Sequence, residues 1–538
     1  MRDRTVKTLR EQILAYEPAD KMEQTSKTQL LQQWDVLGQE FFRRPEQGHV
    51  TVSSLILNEQ QTAMLMVYHN VYQSWSWTGG HGDGAEDLLQ KAIEEAQEET
   101  GIEKVLPVSS EIISIDVLPV QAHSKNGKEI KAHIHYNITY GLLASDKEPL
   151  TVNADENSKV SWIPLSQWQQ YCSEPHMVPV YEKILLRIKR ILQRRQEILA
   201  RLPEQLLSWY AQYARVLPWR QTRDPYHVWL SEIMLQQTRV EAVKGYYQRF
   251  LEQLPDIASL AEASEELLLK LWEGLGYYSR VRNMQKAAKI IMTEYHGVFP
   301  SAYQSIRALP GIGDYTAGAI ASICFGLPTP AVDGNVLRVC GRITENFADV
   351  LENRTKKELQ EQLVAIYPVG AQAYLFNQSL MELGATICVP NGAPKCILCP
   401  MQQWCLAYAN DTWAQLPRKK PRKKRRVEEK TIFILRCKEC TALEKRPSHG
   451  LLAALWQFPN VEGCLDTQQA LNQATSWGVN PCNVEEVRTG KHIFTHVEWH
   501  MTCYIIQCRS KNALFVWADK ENLQRTIALP TAFRQFCK

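Results

Sequence analysis

The sequence has no apolar run long enough to cross a bilayer: the longest, near Ala317–Leu327, falls well short of the ~20 residues a membrane helix needs. Its first ten residues, Met1–Arg10, are charged and lack the apolar centre of a secretion signal. Both absences predict a soluble, cytoplasmic protein with no membrane partner. Net charge is also small, +3 over 538 residues, and 45% hydrophobic with 22% charged residues excludes a disordered or fibrous chain. The chain is too long for one core, and ~100–200 residues per domain predicts three or four units. Cysteine is not scarce. Fourteen of them in a large chain without a secretion signal fit buried apolar positions or metal ligands better than disulfides.

The small net charge conceals an asymmetry. Residues 1–200 hold 21 Lys/Arg against 27 Asp/Glu, and the remainder holds 40 against 31. The basic excess suits a polyanionic partner, because cations that neutralise phosphates release condensed counterions. Short β-branched runs such as Val50–Leu57, Ala63–Tyr68 and His133–Leu143 give the first ~195 residues an α/β pattern. From Gln205 to Leu406 the periodicity turns helical, for example over Val228–Leu251 and Glu265–Tyr295, which predicts an all-α unit. Pro417–Arg426 is eight-tenths basic with two prolines and reads as a solvated linker. Strand-like Thr431–Arg436 and Met501–Gln507 then return the pattern to α/β.

Three local patterns carry chemistry. Cys388, Cys396, Cys399 and Cys405 are spaced C-x7-C-x2-C-x5-C among prolines, and four soft thiolates suit zinc or an iron–sulfur cluster, with spacing alone unable to choose. Cys437-x2-Cys440 has no second pair nearby and reads as structural. Leu309-Pro310-Gly311-Ile312-Gly313 precedes an apolar helical run, so Gly311 and Gly313 can form a tight turn whose amides clamp a phosphate. Glu232 sits among Val228, Trp229, Leu230, Ile233 and Met234, where desolvation raises a carboxyl pKa toward that of a general acid. Asp333, in Ala331-Val332-Asp333-Gly334-Asn335-Val336, supplies a second carboxylate. An acid and an anion are the usual pair for breaking a glycosidic bond through an oxocarbenium-like transition state. Taken singly, a glutamate is usually on a helix surface and an aspartate before glycine is usually a turn or N-cap residue.

Together and in this order, these patterns resemble the adenine DNA glycosylases of the MutY type over about Leu202–Cys405. Leu217-Pro218-Trp219-Arg220, Trp229 to Thr238 and Gly274-Leu275-Gly276-Tyr277-Tyr278 match as well. The resemblance implies an all-α, endonuclease III-like helix-hairpin-helix core whose cysteines hold a 4Fe–4S cluster. The chain departs from the family in having seven residues rather than six between Cys388 and Cys396. By the same resemblance Glu232 protonates the adenine leaving group and Asp333 stabilises or captures the sugar cation, with Tyr315 and Asn335 in support. Gln237, Thr238, Leu275 and Tyr277 meet the duplex, Gln237 and Tyr277 as wedges, while Trp219 and Arg220 help form the base pocket. Bifunctional relatives carry a lysine after the hairpin, where this chain has Tyr315. Without that amine, water is expected to finish the reaction and leave an abasic site.

Both flanking units resemble Nudix domains. Gly80-x5-Glu86-x7-Glu94-Glu95-x2-Glu98-Glu99-x-Gly101 follows the Nudix signature, with Glu95, Glu98 and Glu99 within about one helical turn and placed to hold Mg2+. Glu94 stands where that family has arginine. After Glu429, Leu455-Trp456-Gln457-Phe458-Pro459 matches the corresponding slot, but the helix near Asp466–Thr475 lacks the carboxylates. That unit is therefore expected to bind without hydrolysing, through Phe494, Thr495 and His496, which match the loop that contacts 8-oxoguanine.

The expected architecture is multidomain: a Nudix hydrolase-like domain at 1–198, a helical glycosylase domain at 199–412, a basic linker at 413–429 and a Nudix-like recognition domain at 430–538. The expected function is monofunctional excision of adenine opposite 8-oxoguanine or guanine in double-stranded DNA by a monomer, with a nucleotide-hydrolysing activity at the N-terminal unit open. The rivals are a glycosylase with lyase activity, a lesion-binding protein without catalysis, and a chain that is mainly a pyrophosphohydrolase.

Overall fold

The computed structural model describes residues 8–42, 48–125, 128–154, 157–420 and 425–537. Residues 421–424 of the basic run and the first seven residues lie outside that set. By internal contacts the chain divides into two compact units. One comprises Met1–Ala214, Val332–Pro368 and Leu375–Lys420; the other comprises Arg215–Ala331, Val369–Tyr374 and Pro421–Lys538. Segments of the helical region therefore contribute to both. No helix among the described residues is long and apolar enough to cross a membrane.

The first unit is built on a mixed sheet. Its central strand, Gly48–Asn58, runs parallel to His133–Ala144 in unbroken register from Gly48 opposite Ile134 to Asn58 opposite Ala144, and antiparallel to Ala63–His69 and Thr78–His81. A helix at Leu88–Thr100 packs on this sheet. Asp87 caps it by accepting from the Gln90 amide, and Gly101, at φ +73°, ends it in the left-handed conformation that glycine adopts without strain. Helical segments of the same unit join the sheet's loops through Glu345, which is fully buried. Its carboxylate accepts from Ser109, Ser110, Asn410 and Thr412 at 2.8–3.2 Å, and Arg195 donates to its carbonyl at 2.6 Å.

In the second unit, residues 215–331 are helical with no strand among them, as the periodicity predicts. The long periodic stretches are broken, however. Pro225–Leu235 and Val240–Gln253 replace one run, and Glu265–Leu271 and Ser279–Glu294 another. Asp224 and Pro225 start the first of these, the aspartate accepting from the Tyr226 and His227 amides. Apolar on every face, that helix is buried nearly throughout.

The C-terminal sheet repeats the central pairing of the first: Arg426–Cys437 lies parallel to Val497–Cys508 from Arg426 opposite Val497 onward. The strand thus begins five residues earlier than the apolar pattern indicates, inside the basic run. Cys437 and Cys440 close its hairpin and face each other across the turn, with Cys437 in the core.

Candidate active site and metal centre

Burial of Glu232 is the first outcome of the helix that carries it. Only 5% exposed, its carboxylate accepts a 2.7 Å hydrogen bond from the Tyr315 hydroxyl. Tyr315 stands in the first turn of Asp314–Phe325, the helix that follows the glycine hairpin. That hairpin joins Tyr303–Ala308 to Asp314–Phe325. Gly311 has φ +79°, and a Cβ there would meet the Asn283 Cβ at 2.7 Å, so only glycine fits. Gly313, the N-cap, has nothing within 4 Å of an added Cβ, which leaves its face open to an anion.

Gln237 and Tyr277 are both exposed, Tyr277 by 48%, and both have left-handed backbones at φ +58° and +47°. Such conformations cost about 1–3 kcal/mol each and persist only where neighbours enforce them. Arg280 is the enforcer. Its guanidinium donates to the carbonyls of Ile233 and Gln236 on one turn, at 2.7 and 2.8 Å, and of Leu275 and Gly276 on the other, at 2.9 and 3.1 Å. It also lies over the Trp272 and Tyr277 rings, and burial pulls its pKa down to about 10. Sequence reasoning missed it, since an arginine in the first turn of an amphipathic helix reads as a solvent-facing residue. Arg280→Met is expected to slow adenine release about 10–100-fold, the loss of ~1–3 kcal/mol of buried charged hydrogen bonding, with helix content unchanged. Unaltered single-turnover rates would remove it from this role.

In the same unit the Tyr277 hydroxyl lies 3.0 Å from the Thr495 hydroxyl, which brings one expected wedge to the expected 8-oxoguanine loop. Thr495 and His496 are exposed, while Phe494 packs edge-on to Trp499. Thr238 bonds back to the Gln236 carbonyl, and Leu275 is buried behind its turn. Trp219 is buried against Tyr247, and Arg220 caps the backbone at Arg215, so both brace the chain before the Glu232 helix.

Asp333 belongs to the other unit, where it is the N-cap of Gly334–Ile343. One oxygen accepts from the Asn335 and Val336 amides at 2.8 Å, and the other from the Asn335 side chain at 2.7 Å. Burial pushes its pKa above the ordinary carboxylate value, against the pull of those donors and of Arg338. Arg338 in turn bonds Asn335 Oδ1 and the carbonyls of Gly384 and Cys388 at 2.8–2.9 Å. A Cβ on Gly384 would meet the Asn335 Cβ at 2.7 Å, so that helix approaches closely only because no side chain intervenes.

One turn further along, Arg342 donates to Cys388 Sγ at 3.4 Å and to the Val389 carbonyl at 3.0 Å. Cys388, Cys396, Cys399 and Cys405 line one small cavity with Val339, Ile343, Leu383, Ile387 and Trp413. Burial pushes the Cys399 and Cys405 thiols up to about 12. Four convergent sulfurs in an apolar pocket fit a metal centre, whose positive charge would reverse that burial cost and hold the thiolates. The loop between Cys388 and Cys396 is closed by the Lys395 backbone amide, which donates to the Ile387 carbonyl at 3.0 Å.

On the helix Leu88–Thr100 the three signature glutamates have different surroundings. Glu99 is buried and accepts from the Gly79 amide at 2.7 Å and from Asn157 at 2.8 Å. Glu95 pairs with Lys91 at 2.7 Å, which supplies the cation missing at position 94, while Glu94 is exposed and bonded to Gln90. Glu95, Glu98 and Glu99 nevertheless line a common cavity.

A glycine hairpin with open amides, leading into a helix whose tyrosine bonds a buried carboxyl, and a four-sulfur pocket behind a second capped carboxylate, together define a helix-hairpin-helix DNA glycosylase. Residues 230–367 match the HhH-GPD superfamily of base excision DNA repair proteins, and residues 48–184 and 431–538 each match the NUDIX domain. The chain is 37% identical over 339 residues to the adenine DNA glycosylase of Buchnera aphidicola subsp. Baizongia pistaciae, covering 61% of this chain and 93% of the relative. It is 38% identical over 400 residues to that of Mus musculus and 33% over 399 to that of Homo sapiens, covering 62% and 61% of this chain and 77% and 72% of those relatives. The chain belongs to the adenine DNA glycosylase family, enzymes of base excision repair that hydrolyse the N-glycosidic bond of adenine in DNA.

Proposed function

We propose that the protein is a monofunctional glycosylase that removes adenine opposite 8-oxoguanine or guanine in double-stranded DNA, with Glu232 as general acid and Asp333 as the anion that stabilises or captures the sugar cation. The hydrogen bond from Tyr315 to Glu232 carries the reading. It fixes one carboxyl oxygen, so that the other can deliver a proton to the departing base. The C1′–N bond then breaks with its electron pair leaving on adenine, and water adds at C1′ and yields its proton to solvent. Because Tyr315 fills the position after the hairpin with a group that forms no Schiff base, strand cleavage is not expected. Gly311 and Gly313 clamp a phosphate, Gln237 and Tyr277 fill the space of the extruded nucleotide, and Trp219 and Arg220 brace the base pocket. The bond between Tyr277 and Thr495 supports a sensor for the opposite base in the Phe494-Thr495-His496 loop.

The cysteine pocket is proposed to hold a 4Fe–4S cluster through Cys388, Cys396, Cys399 and Cys405. Bound there, the cluster's iron would hold the four thiolates in place of their protons and tie the loop to Gly334–Ile343. The Glu95, Glu98 and Glu99 carboxylates, which line one cavity, are proposed to hold Mg2+, with Glu99 also bonded to Gly79 and Asn157. The monomer is the proposed active form.

The test presents duplexes carrying adenine opposite 8-oxoguanine, guanine or thymine. Base release from the first two but not the third is expected, without strand breaks until alkali is added. A borohydride-trapped protein–DNA crosslink in high yield would overturn the monofunctional reading.

A further inference from the structure

Four histidines stand together on the polar face of the N-terminal sheet. His49 lies on Gly48–Asn58, His81 ends Thr78–His81, and His133 and His135 open His133–Ala144. Parallel register sets His49 opposite His135, and antiparallel pairing sets Thr51 opposite His81. Since residues two apart on a strand share a face, all four imidazoles project from the same side. Their ring centroids are 4.8 Å apart for His49–His81 and His49–His135, 4.9 Å for His133–His135 and 5.2 Å for His49–His133. One ligand nitrogen from each of His49, His81 and His135 lies within 4.8 Å of the others, and His133 Nε2 is 3.0 Å from His135 Nε2.

We propose that His49, His81 and His135 form a binding site for a divalent transition-metal ion of the zinc class, with His133 beside it. Zinc–imidazole bonds of ~2.0–2.1 Å in a tetrahedron put ligand nitrogens about 3.4 Å apart. Imidazole χ2 torsions are soft, so small ring rotations bring the three donors to that separation. The strands fix the Cβ positions, and the site is therefore largely built before the metal arrives. Further along the face the polar groups bond one another: Thr51 and Ser53 both donate to Asn137 Oδ1 at 2.9 Å, and Asn137 donates to Thr139. The histidines at the strand ends are gathered around one point.

Imidazole nitrogens select zinc, cobalt, nickel and copper, whereas magnesium prefers oxygen. The site is therefore distinct in kind from the carboxylates of the signature helix. It is nevertheless their neighbour, because the histidines line the cavity that Glu95 and Glu98 also line, and the Glu95 carboxylate packs directly on Gly80, one residue before His81. Three protein donors leave a tetrahedral ion one position for water or a phosphate oxygen.

The test uses the full-length protein with its own iron content, treated with chelator, dialysed and titrated with Co2+. One equivalent is expected to bind with the visible d–d absorption of a nitrogen and oxygen coordination shell and without a thiolate charge-transfer band. Zn2+ should displace it and millimolar Mg2+ should not. The double variant His81→Gln/His135→Gln should bind Co2+ about 100-fold more weakly, with iron content and adenine release unchanged as evidence of an intact fold. His81→Gln alone, a change at a partly exposed position, should show an intermediate loss. Glu98→Gln should keep the spectrum. Equal Co2+ binding by wild type and the double variant, failure of the wild type to bind, or loss of the spectrum in Glu98→Gln would each overturn the proposal.

Discussion

Glu232→Gln is expected to lower single-turnover adenine release about 10^2–10^4-fold, the usual contribution of a positioned general acid. The glutamine is isosteric, and the Tyr315 hydroxyl can still donate to its carbonyl oxygen, so the bond that holds the side chain survives while the transferable proton is gone. The helix is buried on all faces by Val228, Trp229, Leu230, Ile233 and Met234, and none of these is touched. Duplex affinity should therefore stay near wild type and the thermal midpoint should not fall. Such a separation of binding from chemistry is the signature of an interaction made only in the transition state. Release at wild-type rate would assign the proton to another group and remove Glu232 from the mechanism.

The sequence made some of this site legible because local rules suffice there. Asp333 before Gly334 is an N-cap by residue type and is one in the fold, and Gly311, at φ +79°, marks a turn that needs glycine. The cysteines, closely spaced in the sequence, line one pocket in the fold. Arg280, Arg338 and Arg342 were not legible. Each is held by carbonyls far along the chain, at position 233, at 384 and 388, and at 389 and 416, and no local pattern encodes those partners. Glu99 shows what a helix turn read in isolation leaves out. Its spacing puts it with Glu95 and Glu98, yet the sheet claims its carboxylate through Gly79 and Asn157. The histidine cluster offered one overlooked signal, His133-x-His135 in a strand, which places two imidazoles on one face. His49 and His81 join them only through strand register, which a single sequence does not disclose.

Asp333→Asn tests the other half of the chemistry and should cost a comparable factor, about 10^2–10^4 in single-turnover release. Asparagine keeps an oxygen for the Asn335 and Val336 amides and is itself a good N-cap, so the helix that carries Arg338 and Arg342 should start in the same place. The pH dependence gives a sharper reading. Burial raises the folded-state pKa of Asp333 above its unfolded value, so the folded protein holds this proton more tightly than the unfolded chain does. The stability this supplies is full below the unfolded pKa and disappears as pH rises through the folded one. At neutral pH the ionised carboxylate is thus a burden on the fold that catalysis requires, and neutral asparagine relieves it. The relief is opposed by the lost acceptor for the Asn335 side-chain amide, so the thermal midpoint at pH 7 should stay near that of wild type, and relative to wild type the variant should fare worse as pH falls through the raised pKa of Asp333. Wild-type activity should fall along the same acid limb, since only the anion can stabilise the sugar cation. A thermal midpoint that drops sharply in Asp333→Asn at neutral pH, or full activity in the protonated state, would make Asp333 a structural cap rather than a catalytic anion.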